Sequence, residues 1–461
     1  MAVSHFLAAA MLIAQSQGAP LSQLPVPTRD PLAIEASDDP ILALARGSVA
    51  PGEFMALVQQ AVDRHPQIDE AVAGISEAEA GHDEARAGRY PRVDLGLNTQ
   101  RTIARNFEGG PLDNIVERNR PGGRTDVTAT VEQTLFDFGA TEARITAAGA
   151  RLRAASLRAE EAADRTALQA IAAWYDVFAY RALVTLGSAF SENQQGLRGA
   201  VQERITAGVS APGDLPRVES YIASSQADLA RYRRLLANAE ARFEEFFGAP
   251  PPPDLGRAPS LGGPAISKEM AQLLARALPE VEGAEALARA ARQDAKAERA
   301  QTRPNVTAGV DAGKYGLNDK DYDVRGRITV RQRFFGGIGA RVDQAEARAV
   351  GANARASRVR IESEREAAIA WADVRALEQQ LAALESSYLA SRQSRDVLAE
   401  RFRVARGTLF DLLEAESGYF NVAASYIRAI TELDAARYVL LSRTGRLLET
   451  LSIEPPALED S

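Results

Sequence analysis

Cysteine is absent from the 461-residue chain. This excludes a disulfide framework, a thiolate metal site, a cysteine nucleophile and a lipid-modified N-terminal cysteine. Histidine is almost absent: His5, His65 and His82 are the three, and no HExxH, G-x-S-x-G or phosphate-loop pattern accompanies them. The residues therefore point to no enzymatic centre, metal or cofactor. Proline is missing between Pro304 and Pro455, which a largely helical stretch tolerates and which loops do not require. Positive charge is not in excess, with a net charge of −8, so a nucleic-acid surface is excluded. After the N-terminus no run approaches the roughly 20 apolar residues of a spanning helix. If this chain enters a membrane, it does so as strands.

What is present is a duplication. Val131 to Ser220 and Val330 to Ser417 share one plan: a short alternating segment, a glycine-containing break, a helical run of more than sixty residues, then a turn. The two tryptophans, Trp174 and Trp371, fall on one register at an offset of 197, as do Arg204 with Arg401, Asp214 with Asp411, and Glu219-Ser220 with Glu416-Ser417. Upstream of the strand loops the offset is 213, pairing His65-Pro66 with Leu278-Pro279 and Tyr90-Pro91 with Arg303-Pro304. Such self-similarity is read as a true repeat. The long runs, Ala140 to Ala207 and Ala340 to Ala405, would each extend roughly 100 Å at about 1.5 Å per residue.

In order, residues 1–18 read as a secretory signal peptide, with an apolar run from Phe6 to Ala14 and small residues at Ser16 and Gly18. Residues 19–50 read as an extended N-terminal arm. Repeat 1 occupies 51–249 as helix, two strands, long helix and return helix. A Pro/Gly-rich linker follows at 250–267, and repeat 2 occupies 268–461 in the same order with a short C-terminal tail. Trp174 and Trp371 are read as packing wedges.

Four segments alternate with period two: Val93 to Thr99, Val127 to Gln133, Val306 to Val310 and Val324 to Arg331. Apolar or small side chains share one face and polar ones the other. Their length suits a tilted crossing of a bilayer. Four strands cannot close a barrel, and an open edge in lipid leaves backbone groups unpaired. Two copies would give eight strands and three would give twelve, with room for a channel. Arg325, Arg327 and Arg331 would then line the aqueous lumen. Long helices with Ala and Leu at helical spacing need partners along their length, which the helices Asp214 to Phe247 and Asp411 to Leu448 can supply.

With these features together, the chain resembles the TolC family of outer-membrane export ducts over its whole mature length. The second hairpin, Phe402-Arg403-Val404-Ala405-Arg406-Gly407-Thr408-Leu409-Phe410-Asp411-Leu412-Leu413-Glu414, is similar to the family's inner-pore turn. It departs from the family at Ala405, where glycine is usual, and at Gly407, where arginine is usual. The resemblance implies a mainly α fold with a small β part. Long antiparallel helical hairpins would form an α-barrel, and four strands per chain would contribute to a 12-stranded trimeric outer-membrane β-barrel. It also implies a homotrimer, a periplasmic adaptor and an inner-membrane transporter of ABC or RND type. Ala436 to Leu441 and Gly445 to Leu448 resemble the branch serving type I protein secretion; drug or metal efflux is the alternative cargo class. A soluble periplasmic coiled-coil scaffold is the alternative from another class.

The resemblance gives the candidate residues their roles. Asp411 and Glu414, three apart at a helix start, would form carboxylate rings at a pore constriction, with Asp214 as their repeat mate. Thr408 to Asp411 is equally a helix-capping pattern. Gly208, Val209 and Ser210 in one turn, with Val404, Arg406, Gly407 and Thr408 in the other, would meet the adaptor at the periplasmic tip.

Overall fold

A computed structural model describes residues 25–456 apart from 26, 29–30, 32–33, 35, 105, 107–109, 111–121, 261–265 and 316–321. The proposed signal peptide, residues 1–18, lies outside the described residues, as do parts of the arm, the linker and the two strand loops. In chain order the elements are α1 (Pro40–Ala43), α2 (Pro51–Arg64), α3 (Pro66–Ala87), β1 (Arg92–Arg101), β2 (Gly123–Phe136), α4 (Ala140–Thr206) and α5 (Asp214–Phe247). The second half runs α6 (Lys268–Ala275), α7 (Pro279–Ala300), β3 (Asn305–Tyr315), β4 (Tyr322–Arg331), α8 (Ile338–Arg403), α9 (Leu409–Ser442) and α10 (Leu447–Leu451). The halves match in length as well as order: α3 and α7 have 22 residues each, α4 and α8 have 67 and 66, and α5 and α9 have 34 each.

The chain divides into two compact units. One comprises Met1–Val72, Arg158–Val281 and Arg360–Ser461; the other comprises Ala73–Leu157 and Glu282–Val359. The second holds all four strands, in one antiparallel sheet of order β1-β2-β3-β4. Its helical part packs through alanine, with Ala295 of α7 against Ala345 and Ala349 of α8. Side chains this small let helix axes approach closely, and ion pairs between Arg151 and Asp294 and between Arg299 and Glu346 flank the contact.

The first unit carries the large side chains. Trp174 sits edge-on to Phe54 with centroids 5.3 Å apart, and it contacts Phe243 and Phe247. Its Nε1–H donates to the Gly256 carbonyl at 2.9 Å, and Trp371 Nε1–H donates to Ile266 O at 2.8 Å. Both tryptophans therefore wedge against the linker that joins the repeats, satisfying their one polar atom as they pack. Arg181 on α4 donates to the Pro251 and Pro253 carbonyls at 3.2 and 3.3 Å. Arg257, also in the linker, makes a two-pronged pair with buried Asp434 at 2.6 and 2.9 Å.

The helix expected before β1 is interrupted at His65-Pro66, as the proline implies: His65 adopts φ −78°, ψ 129°, the extended geometry a following proline imposes. Two other expectations change in detail. The last long helix ends at Ser442: Gly445 takes φ +69°, the Arg446 N–H bonds back to Leu441 O at 2.8 Å, and a separate turn, α10, follows. The arm is not wholly extended: Ile41 and Leu42 are buried, and α1 is capped by Asp39, which accepts from the Ile41 and Leu42 N–H groups at 2.8 and 3.0 Å.

Asp164 of α4 lies against Ser442, whose hydroxyl donates to it at 2.5 Å. Burial pushes this carboxyl above its ordinary range, against the opposing effects of that hydrogen bond and of Arg443. A carboxyl raised in the folded state favours folding when protonated, and that contribution is lost as pH rises through the raised value. Asp164→Asn is expected to remove this slope. Melting temperatures of the variant and the parent, followed upward from the ordinary carboxylate range, should diverge in the variant's favour; parallel curves would contradict the assignment.

Candidate functional site: an amphipathic sheet and two helical hairpin tips

The sheet separates its side chains by chemistry. Register pairs Asp94 with Thr130, Thr130 with Asp311 and Asp311 with Arg325. Since side chains alternate with period two, one face carries Asp94, Asn98, Asp126, Thr130, Glu132, Asp311 and Asp323 with Arg325, Arg327 and Arg331. Arg327 pairs with Asp311 at 3.0 Å, Arg325 pairs with Asp323, and Thr130 Oγ1 donates to Asp311 at 3.1 Å. All three expected lumen arginines lie on this face.

The other face carries Val93, Leu95, Leu97, Val127, Val131, Val306, Val310, Val324, Ile328 and Val330. Among the described residues nothing covers its outer strands: Leu95 is 81% and Ile328 74% exposed. Hydrophobic surface in this quantity, on both outer strands of a twisted sheet, marks a surface that meets an apolar phase.

The sheet ends are aromatic. Tyr315 and Tyr322 stand at the β3–β4 turn end. At the opposite end the register shifts between Thr134 and Phe136, and this bulge re-aims Phe136 from the polar face to the apolar one. Phe136 and Phe138 rings lie 4.6 Å apart, and Arg303 sits 5.2 Å over Phe138. Phe138 and Phe335, repeat mates at the offset of 197, both take left-handed backbone angles, φ +56° and +64°, each followed by a left-handed glycine. Such geometry costs a bulky residue about 1–2 kcal/mol, and it leaves Phe335 91% exposed. These rings suit a membrane–water boundary.

The hairpin tips belong to the first unit. The two turns close alike: Val209 N–H bonds to Arg204 O and Arg406 N–H bonds to Arg401 O, each at 2.8 Å. Gly208 at φ +71° and its repeat mate Ala405 at φ +59° occupy the left-handed position between them. This explains why glycine suits the Ala405 position. Gly407 sits close to the backbone, where an added Cβ would lie 3.1 Å from Phe402 N. Val201, Val218, Phe402, Leu409, Leu412 and Leu413 form one buried cluster that joins the two tips. Arg204 reinforces it, donating to Phe402 O at 2.7 Å with its guanidinium 4.3 Å over the Phe402 ring. The sequence marks Arg204 as a repeat mate of Arg401 but gives no sign of this role.

Thr408 caps α9, its Oγ1 accepting from the Asp411 N–H at 3.1 Å. Asp411 and Glu414 are both exposed beside buried Leu412 and Leu413, and no cation of the described residues pairs with either. Asp214 is half-buried in the first turn of α5. Val209, Val404, Arg406, Thr408 and Phe410 are exposed around the turns. No group of three His, Asp or Glu side chains among the described residues is set to hold a metal.

Residues 57–249 match the family described as outer membrane efflux protein. BepC, an outer membrane efflux protein of Brucella suis biovar 1 (strain 1330), is 23% identical over 353 residues, covering 72% of this chain and 76% of BepC. Among solved structures, the outer membrane protein VceC of Vibrio cholerae superposes with a TM-score of 0.71 at 19% identity, covering 85% of this chain and 96% of VceC. The MtrE outer membrane channel of Neisseria gonorrhoeae gives 0.70 at 18%, covering 86% of this chain and 89% of MtrE. The mainly helical chain with its four-stranded sheet has the fold of these channels.

Two substitutions test this geometry. Leu95→Arg on the apolar face should cost about 2–4 kcal/mol in a bilayer and lower recovery in the outer-membrane fraction, whereas Asn98→Arg on the polar face should not; equal recovery would contradict the assignment of faces. Ala405→Gly should relieve about 1 kcal/mol of backbone strain and raise the melting temperature; a fall would mean the turn does not hold Ala405 left-handed.

Proposed function

We propose that this chain, an outer-membrane protein that belongs over residues 57–249 to the outer membrane efflux protein family, is the passive exit duct of a tripartite export system. The observation that carries the reading is the sheet: one face of exposed Val, Leu and Ile, one face of charges, and two edge strands, β1 and β4, with no further partner among the described residues. A third copy brings the strand count to twelve and leaves room for a channel lined by Arg325, Arg327 and Arg331. A soluble scaffold would leave the apolar face in water.

In a threefold assembly Asp411 and Glu414 repeat three times around the axis as exposed carboxylates, a constriction that favours cations. Asp214 adds to it from the neighbouring hairpin. The tips, Gly208 to Ser210 and Val404 to Thr408, offer exposed apolar side chains and backbone to a periplasmic adaptor, which couples the duct to an inner-membrane transporter. Conserved chemistry at a reacting centre is not needed for such a role, and energy comes from the transporter.

For cargo, the similarity of Ala436 to Leu441 and Gly445 to Leu448 to the type I secretion branch supports protein secretion as the first reading. The family and BepC are both named for efflux, which supports efflux of small molecules as the alternative.

Native mass and planar-bilayer conductance of detergent-extracted protein test the duct. A cation-selective trimer is expected, with Asp411→Ala plus Glu414→Ala losing selectivity and conducting several-fold more; a non-conducting monomer would overturn the reading. Deleting the gene then separates the cargoes: raised susceptibility to small toxic compounds supports efflux, and loss of one secreted protein without that change supports type I secretion.

A further inference from the structure

The N-terminal arm grips α8 at two levels. At the first, the Asp39 carboxylate, 0% exposed, accepts from the Tyr388 hydroxyl at 2.7 Å and pairs with Arg392 Nη1 at 2.6 Å. Tyr388 is joined in turn to the Tyr419 hydroxyl of α9 at 3.1 Å. At the second, Arg395 Nη2 donates to the Pro25 carbonyl at 3.0 Å, and Asp396 accepts from the Thr28 N–H at 3.3 Å. Arg395 and Asp396 are themselves completely buried and hydrogen-bonded to each other.

The other end of the arm is fixed to the body of the same unit. Ile41 and Leu42 enter an apolar cluster with Leu183, Phe190 and Phe420. Ala45 O accepts from Arg257, and the Val49 N–H donates to Arg257 O at 2.9 Å. Arg257 is held by Asp434 of α9. The arm therefore spans from the linker and Asp434 to the stretch of α8 between Tyr388 and Asp396.

That stretch lies between two apolar clusters of the hairpins. On one side are Phe190, Tyr388 and Phe420; on the other are Val201, Phe402 and Leu413, beneath the turn that carries Asp411 and Glu414. Between them Gln194 Oε1, Ser391 Oγ, Arg392 Nε and Arg395 Nη1 are buried without a partner among the described residues. A layer with unmet polar atoms is not optimised for permanent closure, because each such atom regains hydrogen bonds when the layer opens to water. A polar grip is also position-specific: it holds at one registration, where apolar contact would slide.

We propose that the N-terminal arm is a latch on the second hairpin: Asp39, clasped by Tyr388 and Arg392, holds α8 in register, and its release frees the hairpin tip to widen the constriction. This rests on the reading of Asp411 and Glu414 as the constriction of a duct. Asp39, Tyr388 and Arg392 act as positioning residues and touch no cargo.

The test uses the full chain in planar bilayers, with native mass measured on the same samples. Asp39→Ala is expected to remain trimeric and to raise conductance several-fold over the parent. Because the chain has no cysteine, Asp39→Cys with Arg392→Cys can be joined by a short bis-maleimide. The bridged protein should lose the increase that the unbridged pair shows. A conducting parent with an unchanged Asp39→Ala would overturn the latch alone, and a parent trimer that never conducts would overturn the duct reading beneath it. If Asp39→Ala fails to assemble while Asp39→Asn matches the parent in mass and conductance, Asp39 is a folding residue and the latch is overturned.

Discussion

In hydrocarbon a backbone N–H or C=O without a partner costs several kcal/mol, and this chain's sheet ends at β1 on one side and β4 on the other. The apolar face makes water the wrong solvent for the sheet, while the edges make a single copy in lipid equally unfavourable. In the proposed duct, closure with further copies satisfies both. The rest of the sequence conforms to that requirement: the polar face is charged because closure turns it toward water, and the bulge at Phe136 keeps an aromatic ring on the lipid side where the strand leaves the sheet. The strained Phe138 and Phe335 turns follow at the same boundary.

The helices meet a different constraint. Most of a helix's stability in a protein comes from packing its apolar face, so a helix of more than sixty residues needs partners along its length. In the second unit alanine does this, with Ala295, Ala345 and Ala349 allowing close approach. In the first unit Trp174, Phe54 and the Phe243–Phe247 pair fill a wider space, and the linker is drawn in by the two indole N–H groups. Polar side chains interrupt the apolar packing near Arg392, Arg395 and Asp396, where the arm supplies partners that the helices lack. Buried charge of this kind sets registration more than it adds stability.

Much of this was legible in the sequence. Strict alternation in β4 and the repeated Trp register depend on local pattern alone, and the boundaries of α5 and the start of α4 fall where glycine, proline and aspartate place them. The same holds for Asp411: its position after Thr408 announced the cap that the structure shows. What could not be read depends on distant contacts. Asp39 lies in a segment whose composition suggests an extended arm, yet its partners Tyr388 and Arg392 are some 350 residues away. Arg204 looked like one of many helix arginines until its contact with Phe402 was visible. The break after Ser442 was missed because Gly445, between Thr444 and Arg446, gives no period change, only a left-handed turn.

The central claim is that one face of the sheet meets lipid and the other meets water. Single cysteines placed in turn from Val324 to Arg331, in a chain that has none of its own, and treated with a membrane-impermeant maleimide in intact outer membranes would test it directly. Labelling should alternate, with positions 325, 327, 329 and 331 reactive and positions 324, 326, 328 and 330 protected. Uniform labelling along the strand would contradict the account, because it would place both faces of the sheet in water.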